Sequence, residues 1–198
     1  MFSGWLSVPS AQQLLDRVVA RVNDSAITQS DVNATLALGA IAAPAGAQQE
    51  AAAAEQLIQR QLVLAEVARF APPEPDPTLV DREIATMKAR AGARLTAVMQ
   101  ATGIDEARIR DMARDTLRIQ AYLNQRFGAT VQVSDDEVLQ YYRSHPSEFM
   151  RGGMAIPFDE AEPAARQRAS AARRDATISQ WMTDLRARAD VSIPTRRP

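Results

Sequence analysis

From Glu106 onward the chain repeats apolar side chains at a helical interval. Ile109, Met112, Thr116, Ile119, Leu123 and Phe127 follow one another at spacings of 3, 4, 3, 4 and 4, the interval that keeps them on one helix face. Asp105 supplies an N-cap and Gly128 a stop. Upstream, Gln48 to Phe70 is predicted as a long helix. Its Leu57, Ile58, Leu62, Val63, Leu64 and Val67 spread over more than one face, which suits the centre of a bundle. The PPEPDP run from Pro72 to Pro77 stops it, and Asp76-Pro77 caps the next helix, which runs to about Arg90 with Val80, Ile84 and Met87 on its stripe. A shorter helix covers Leu95–Ala101 and closes at Gly103.

The two ends read differently. Arg17–Val22 is β-branched, Asn23-Asp24 is a turn signal, and Ser25-Ala26-Ile27 completes a predicted strand pair. Thr28 and Asp31 form a capping-box pattern for a helix to about Leu38, ended by Gly39 and Pro44, with the flexible connector AAPAGA at Ala42–Ala47. After a short extended stretch at Ala129–Val133, Ser134 and Glu137 make a second capping box for a helix through Tyr142, which His145-Pro146 breaks. The last helix runs from about Asp159 to Ala189, with Pro163 in its first turn. It is alanine-rich at first and then carries Ile178, Trp181, Met182 and Leu185. Val191–Ile193 is a terminal strand-like tag. MRGGMA, Met150 to Ala155, reads as a short loop between the last two helices.

Composition narrows the function classes. At 198 residues and 46% apolar content the chain has room for one packed domain. A net charge of −1 argues against nucleic-acid binding. Lys88 is the only lysine among 23 basic residues, a bias that reads as codon usage. The absence of cysteine excludes disulfides, thiolate nucleophiles and Cys-ligated zinc. No apolar run reaches the length of about 18 residues needed for a membrane span. MFSGWLSVPSAQQ, residues 1–13, is either the tail of a secretory signal or a frayed N-terminus.

Several segments, taken in order, resemble the SurA/PpiC family of periplasmic folding factors. RVVARVNDSAITQSDV (Arg17–Val32) is similar to the family's opening, and EQLIQRQLVLAEVARF (Glu55–Phe70) to its central helix. PTLVDREIATMKARAG (Pro77–Gly92) and TGIDEARIRDMARDTLRIQAYLNQRF (Thr102–Phe127) are similar to the helices that follow. VQVSDDEVLQYYRSHPSEF (Val131–Phe149) resembles the segment entering the parvulin-type isomerase domain, and Ile156–Ile193 the segment leaving it. The resemblance implies that the isomerase domain itself is missing, since the family's cleft uses paired histidines on a sheet and this chain has one histidine. The resemblance implies a mainly α, SurA N-terminal-like module over residues 14–198: an N-terminal part (14–149), a short loop in place of the isomerase (150–155), and a C-terminal helix and strand (156–198) packed back on it. It also implies that the first strands pair with the terminal strand, and that the protein is periplasmic.

The residues offer little for chemistry. His145 precedes Pro146 at a helix end, where a cap or dipole role competes with a catalytic one. Asp135-Asp136-Glu137 is the densest acidic run, and the capping box accounts for it; no metal or cofactor site is expected. Candidate peptide-binding residues are Met99, Tyr141, Tyr142, Phe149, Met150, Met154 and Phe158. Methionine suits surfaces that accept many apolar partners, although the same side chains also fill cores. Glu148-Phe149 and Phe158-Asp159-Glu160 read either as a rim for bound peptide or as loop and helix-start chemistry, and the tyrosines either as binding groups or as core edge. Two functions follow. The first is a non-catalytic chaperone-like module that binds unfolded, apolar or aromatic polypeptide, with outer-membrane protein precursors as clients. The second is a structural module that dimerises, through exchange of its first helix at the AAPAGA connector, or binds one dedicated envelope partner.

Overall fold

A computed structural model describes residues 16–128 and 132–194. The possible signal remnant at 1–13 and most of the extended stretch at 129–133 lie outside the described residues. The fold is mainly helical, with a small sheet built from both ends of the chain and a long C-terminal helix packed back on the earlier ones.

Strand β1 (Val18–Val22) turns at Asn23 and pairs antiparallel with β2 (Ser25–Thr28). Asn23 sits at φ 51°, a left-handed geometry that asparagine tolerates better than most residues. The other edge of β1 takes β5 (Val191–Ser192), with Arg21 opposite Ser192 and Val22 opposite Val191. Asn23 anchors this closure. Its amide donates to the Asp190 carbonyl at 2.7 Å, and its side-chain oxygen accepts from the Asp190 amide at 3.2 Å.

The capping box at Thr28 and Asp31 starts α1 (Gln29–Ala37): the Thr28 amide donates to the Asp31 carboxylate and the Asp31 amide to the Thr28 hydroxyl. The start of the connector that follows is held in place, because Gln56 bonds both the amide and the carbonyl of Ala42, and Ile41 and Ala43 pack on the core. Helix α2 (Gln49–Phe70) buries Ala53, Leu57, Ile58, Leu62, Val63 and Val67, so it is the central helix its broad apolar surface predicts. Asp76 caps α3 (Pro77–Ala91) through the Thr78 amide at 2.7 Å. A single 3-10 turn leads into α4 (Leu95–Thr102), and Asp105 caps α5 (Glu106–Phe127).

Helix α5 serves two cores. Its first half places Ile109, Met112 and Ala113 in a cluster with Leu38, Val80, Ile84 and Met87. Its second half places Tyr122 and Phe127 in the main cluster with the sheet and α2. A third, smaller cluster forms between α6 (Asp135–Ser144) and the start of α7 (Phe158–Arg188). Helix α7 contributes Ala161 and Ala165 to this third cluster, then Trp181 and Leu185 to the main one, and Ala169 between them is also buried.

Two details differ from the sequence reading. Because α7 begins at Phe158, Pro163 is its sixth residue rather than part of its first turn, and its ring deprives the Asp159 carbonyl of a helical donor. The MRGGMA segment is a hairpin, not a loop: β3 (Met150–Arg151) pairs antiparallel with β4 (Met154–Ala155). Gly152 and Gly153 lie at φ 58° and 83°. A two-residue turn with both central φ angles positive matches the right-handed twist of its strands, and glycine adopts it without steric cost.

Candidate functional site

The residues singled out for peptide binding gather around the hairpin, except Met99. That side chain is half-buried on α4 against the second cluster. Phe149 lies at the centre of the third cluster, 2% exposed, and so is core rather than rim. Tyr142 stands 5.1 Å from its ring and 5.4 Å from that of Phe158, and the Tyr142 hydroxyl donates to the Ile156 carbonyl at 2.7 Å. Tyr141 meets Phe149 edge-on at 6.4 Å and donates to the Glu148 carboxylate at 3.2 Å. Burial and that carboxylate both push the Tyr141 phenol above its usual range. Arg168 covers the Phe149 ring at 4.9 Å and donates to the Glu148 carbonyl at 2.7 Å. The Phe149 carbonyl accepts from the Ile156 amide, so the hairpin rises directly from this core.

The hairpin's register divides its two methionines. Paired residues share a face and neighbours alternate. Met150 therefore shares one face with Ala155, and Met154 shares the other with Arg151. Arg151 is tied to Glu160 of α7 at 2.6 Å, which fixes that face toward the helix start. Met150 is 46% exposed and Met154 74%. The pair presents apolar surface in two directions from one projecting turn.

His145 takes the cap role. Its amide bonds the Tyr141 carbonyl at 3.0 Å, and its ring stacks on Tyr141 at 4.0 Å. Ser144 Oγ lies 3.0 Å from His145 Nδ1, but the same hydroxyl reaches the Gln140 carbonyl at 2.9 Å. A serine bonded back into its own helix is end-of-helix geometry rather than the activated nucleophile of a dyad.

A second feature escaped the sequence reading. A pocket of about 100 Å³ opens where β2, α1, α2 and α5 meet. Leu57, Leu64 and Met112 form apolar walls, and Arg60, Arg108, Asp31 and Asp115 bring charge into it. Arg60 donates one Nη2 bond to the Met112 carbonyl at 3.0 Å, and Arg108 pairs with Asp31 at 3.3 Å. Burial lowers the Arg60 pKa, against the pull of Asp115. Burial likewise raises the Asp115 carboxyl above its ordinary range, against the pull of Arg60, Arg118 and Arg108. The sequence held a signal for this site. Arg60 falls between Leu57 and Leu64 at spacings of three and four that share one helix face, and Asp115 follows Arg108 and Met112 at spacings that share a face.

Among the described residues no group of three or more His, Cys, Asp or Glu side chains is placed to hold a metal ion, and no helix is long and apolar enough to cross a membrane. Neither a model of any known protein family nor any curated protein matches the chain.

Proposed function

We propose that this chain is a SurA/PpiC-like holding module of the periplasm. It binds extended, unfolded polypeptide, outer-membrane protein precursors among its clients, and carries out no prolyl isomerisation. The observation that carries the reading is the join between α6 and α7. Where the resembled family carries its isomerase, this chain has a two-residue Gly-Gly turn, with exposed methionines projecting from an aromatic base. The helical frame around it, closed by strands from both ends of the chain, supports the same reading.

Energetics set the mode of action. Each 100 Å² of apolar client surface covered contributes roughly 2.5 kcal/mol. Association and ordering of a flexible chain cost about 4–15 kcal/mol. A small apolar patch therefore gives weak, rapidly exchanging binding, and release needs no nucleotide. The alternative of helix exchange through the connector has less support, because Gln56 and the packing of Ile41 and Ala43 hold the start of that segment down.

The test uses the full chain with a chemically denatured client diluted into buffer. Light scattering should fall as the chain is added, while the cis-to-trans rate of a proline-containing test peptide stays at its uncatalysed value. Unchanged scattering at a several-fold excess of chain, or clear acceleration of the isomerisation, would refute the reading.

A further inference from the structure

The pocket between α2 and α5 has chemistry of its own. Among the described residues, Asp115 makes no hydrogen bond and no ion pair within 4.0 Å, although Arg60 and Arg108 line the same space. Arg60 spends one donor on the Met112 carbonyl and keeps the rest of its guanidinium fork. An ionised carboxylate only accepts hydrogen bonds, and a guanidinium only donates them. A ligand carboxylate would satisfy Arg60 and be repelled by Asp115, whereas a ligand ammonium would do the reverse. One planar group serves both at once: an amide, whose N–H donates to Asp115 while its C=O accepts from Arg60. The walls supplied by Leu57 and Leu64 suit the methylenes that carry such a group.

We propose that this pocket is a recognition site for one amide group of a bound polypeptide. The inference rests on the reading of the chain as a polypeptide holder, and it adds a polar selectivity that the exposed methionines lack. Two sources share this chemistry: the side-chain carboxamide of Asn or Gln, and a main-chain peptide group.

The experiment titrates the isotope-labelled full chain with three short peptides, followed by amide NMR shifts. The peptides are identical except for a central Gln, Leu or Glu. They are capped as N-acetyl and N-methylamide, so their ends bring neither charge nor a primary carboxamide. If a side chain is recognised, the Gln peptide moves the signals of Arg60, Leu64 and Met112 and binds about tenfold or more tightly than the Leu peptide, the discrimination expected when a buried polar group is left unmet. If the main chain is recognised, the Gln and Leu peptides move these signals alike. If a side chain is recognised, the Glu peptide is the weakest, and Asp115→Asn, with its helix content checked by circular dichroism, brings it close to the Gln peptide; if the main chain is recognised, Asp115→Asn weakens all three.

The inference is overturned if no peptide moves the pocket signals, if Gln outbinds Leu yet Glu binds as well as Gln, or if Asp115→Asn changes neither the ranking nor the affinities. Shifts at Met150 and Met154 without shifts in the pocket would remove this site and leave the holding function standing. Pocket shifts from a chain that fails to suppress aggregation would do the opposite.

Discussion

Replacing Trp181 with alanine tests whether the far end of α7 belongs to the main core. The indole is 8% exposed. Its ring lies 5.9 Å from Tyr122 and 5.3 Å from Phe127, and the Arg126 guanidinium sits 5.3 Å above it. Removing a large aromatic side chain from such a site costs about 3–5 kcal/mol, through lost transfer energy and the cavity left behind. The ring pairs add their own share, about 0.5–1.5 kcal/mol each. A loss of about 4 kcal/mol is a large fraction of the roughly 5–15 kcal/mol that stabilises a domain. With a urea slope of about 2.5 kcal/mol per M, the unfolding midpoint should fall by about 1.6 M. Far-UV circular dichroism reads it, because most of the described residues are helical. Trp181→Phe should recover more than half of the loss, since a ring would still face Tyr122 and Phe127. Ile193→Ala, at a 58% exposed position, should cost no more than about 0.5 kcal/mol and so shift the midpoint by no more than about 0.2 M. A Trp181→Ala midpoint within about 0.4 M of the wild type, at unchanged slope, would mean that this end of α7 does not dock on the main core. The closure of the chain ends through β5 would fall with it.

Other perturbations isolate single features. Gly152→Asn should be nearly neutral in thermal melts, since asparagine tolerates the left-handed turn, whereas Gly153→Val at φ 83° should cost about 1–2 kcal/mol. That cost corresponds to a fall in Tm of several degrees at this chain length. Met150→Ser with Met154→Ser should leave the melting temperature unchanged and cut suppression of client aggregation by about half or more, as both side chains are exposed and apolar. Asp115 is held above its ordinary range, so its ionised form weakens the fold: as pH falls from neutral through its raised value, the wild type should gain stability relative to Asp115→Asn, down to the unfolded-chain value of 3.8. Glu137 is held low by the Ser134 amide and hydroxyl and works in the opposite sense, its contribution being lost as pH falls below 4.5 and through its lowered value; urea midpoints measured across pH separate the two.

What could be read from the residues alone was local. The boxes at Thr28–Asp31 and Ser134–Glu137, and the Asp76-Pro77 start, each depend on groups within three positions, and the structure has all of them. The docking of Val191–Ser192 on β1 came from the resemblance, because a two-residue strand carries no alternation of its own. The same shortness hid β3 and β4: two residues each, bracketing a glycine pair that equally suits a loop. The placement of the candidate binding residues was legible only in part. Met99 lies on a different core, and the faces of Met150 and Met154 are fixed by a register that composition does not encode. The pocket around Arg60 and Asp115 stayed hidden because its charges come from three helices distant in sequence, and the spacing within each helix does not say which faces meet.

The alanine and arginine content that reads as codon bias also meets a structural need. Helix α7 is 31 residues long, about 46 Å at 1.5 Å per residue. At one end it meets α6 through the cluster that holds Ala161 and Ala165, with Ala169 also buried, and such small side chains let the helices approach closely. At the other it is locked by Trp181 and Leu185. Between these anchors, residues 170–177 contribute nothing to any buried cluster and present mostly exposed side chains. Their contacts with the rest of the chain are polar: Arg173 with Glu137 at 3.5 Å and Arg174 with Asn124 at 2.7 Å. A span without apolar packing must hold its helix by intrinsic propensity, and alanine and arginine rank near the top of that scale. The composition of this stretch thus keeps α7 a continuous strut, so that the hairpin with its methionines is carried at a fixed reach from the core that holds the amide pocket.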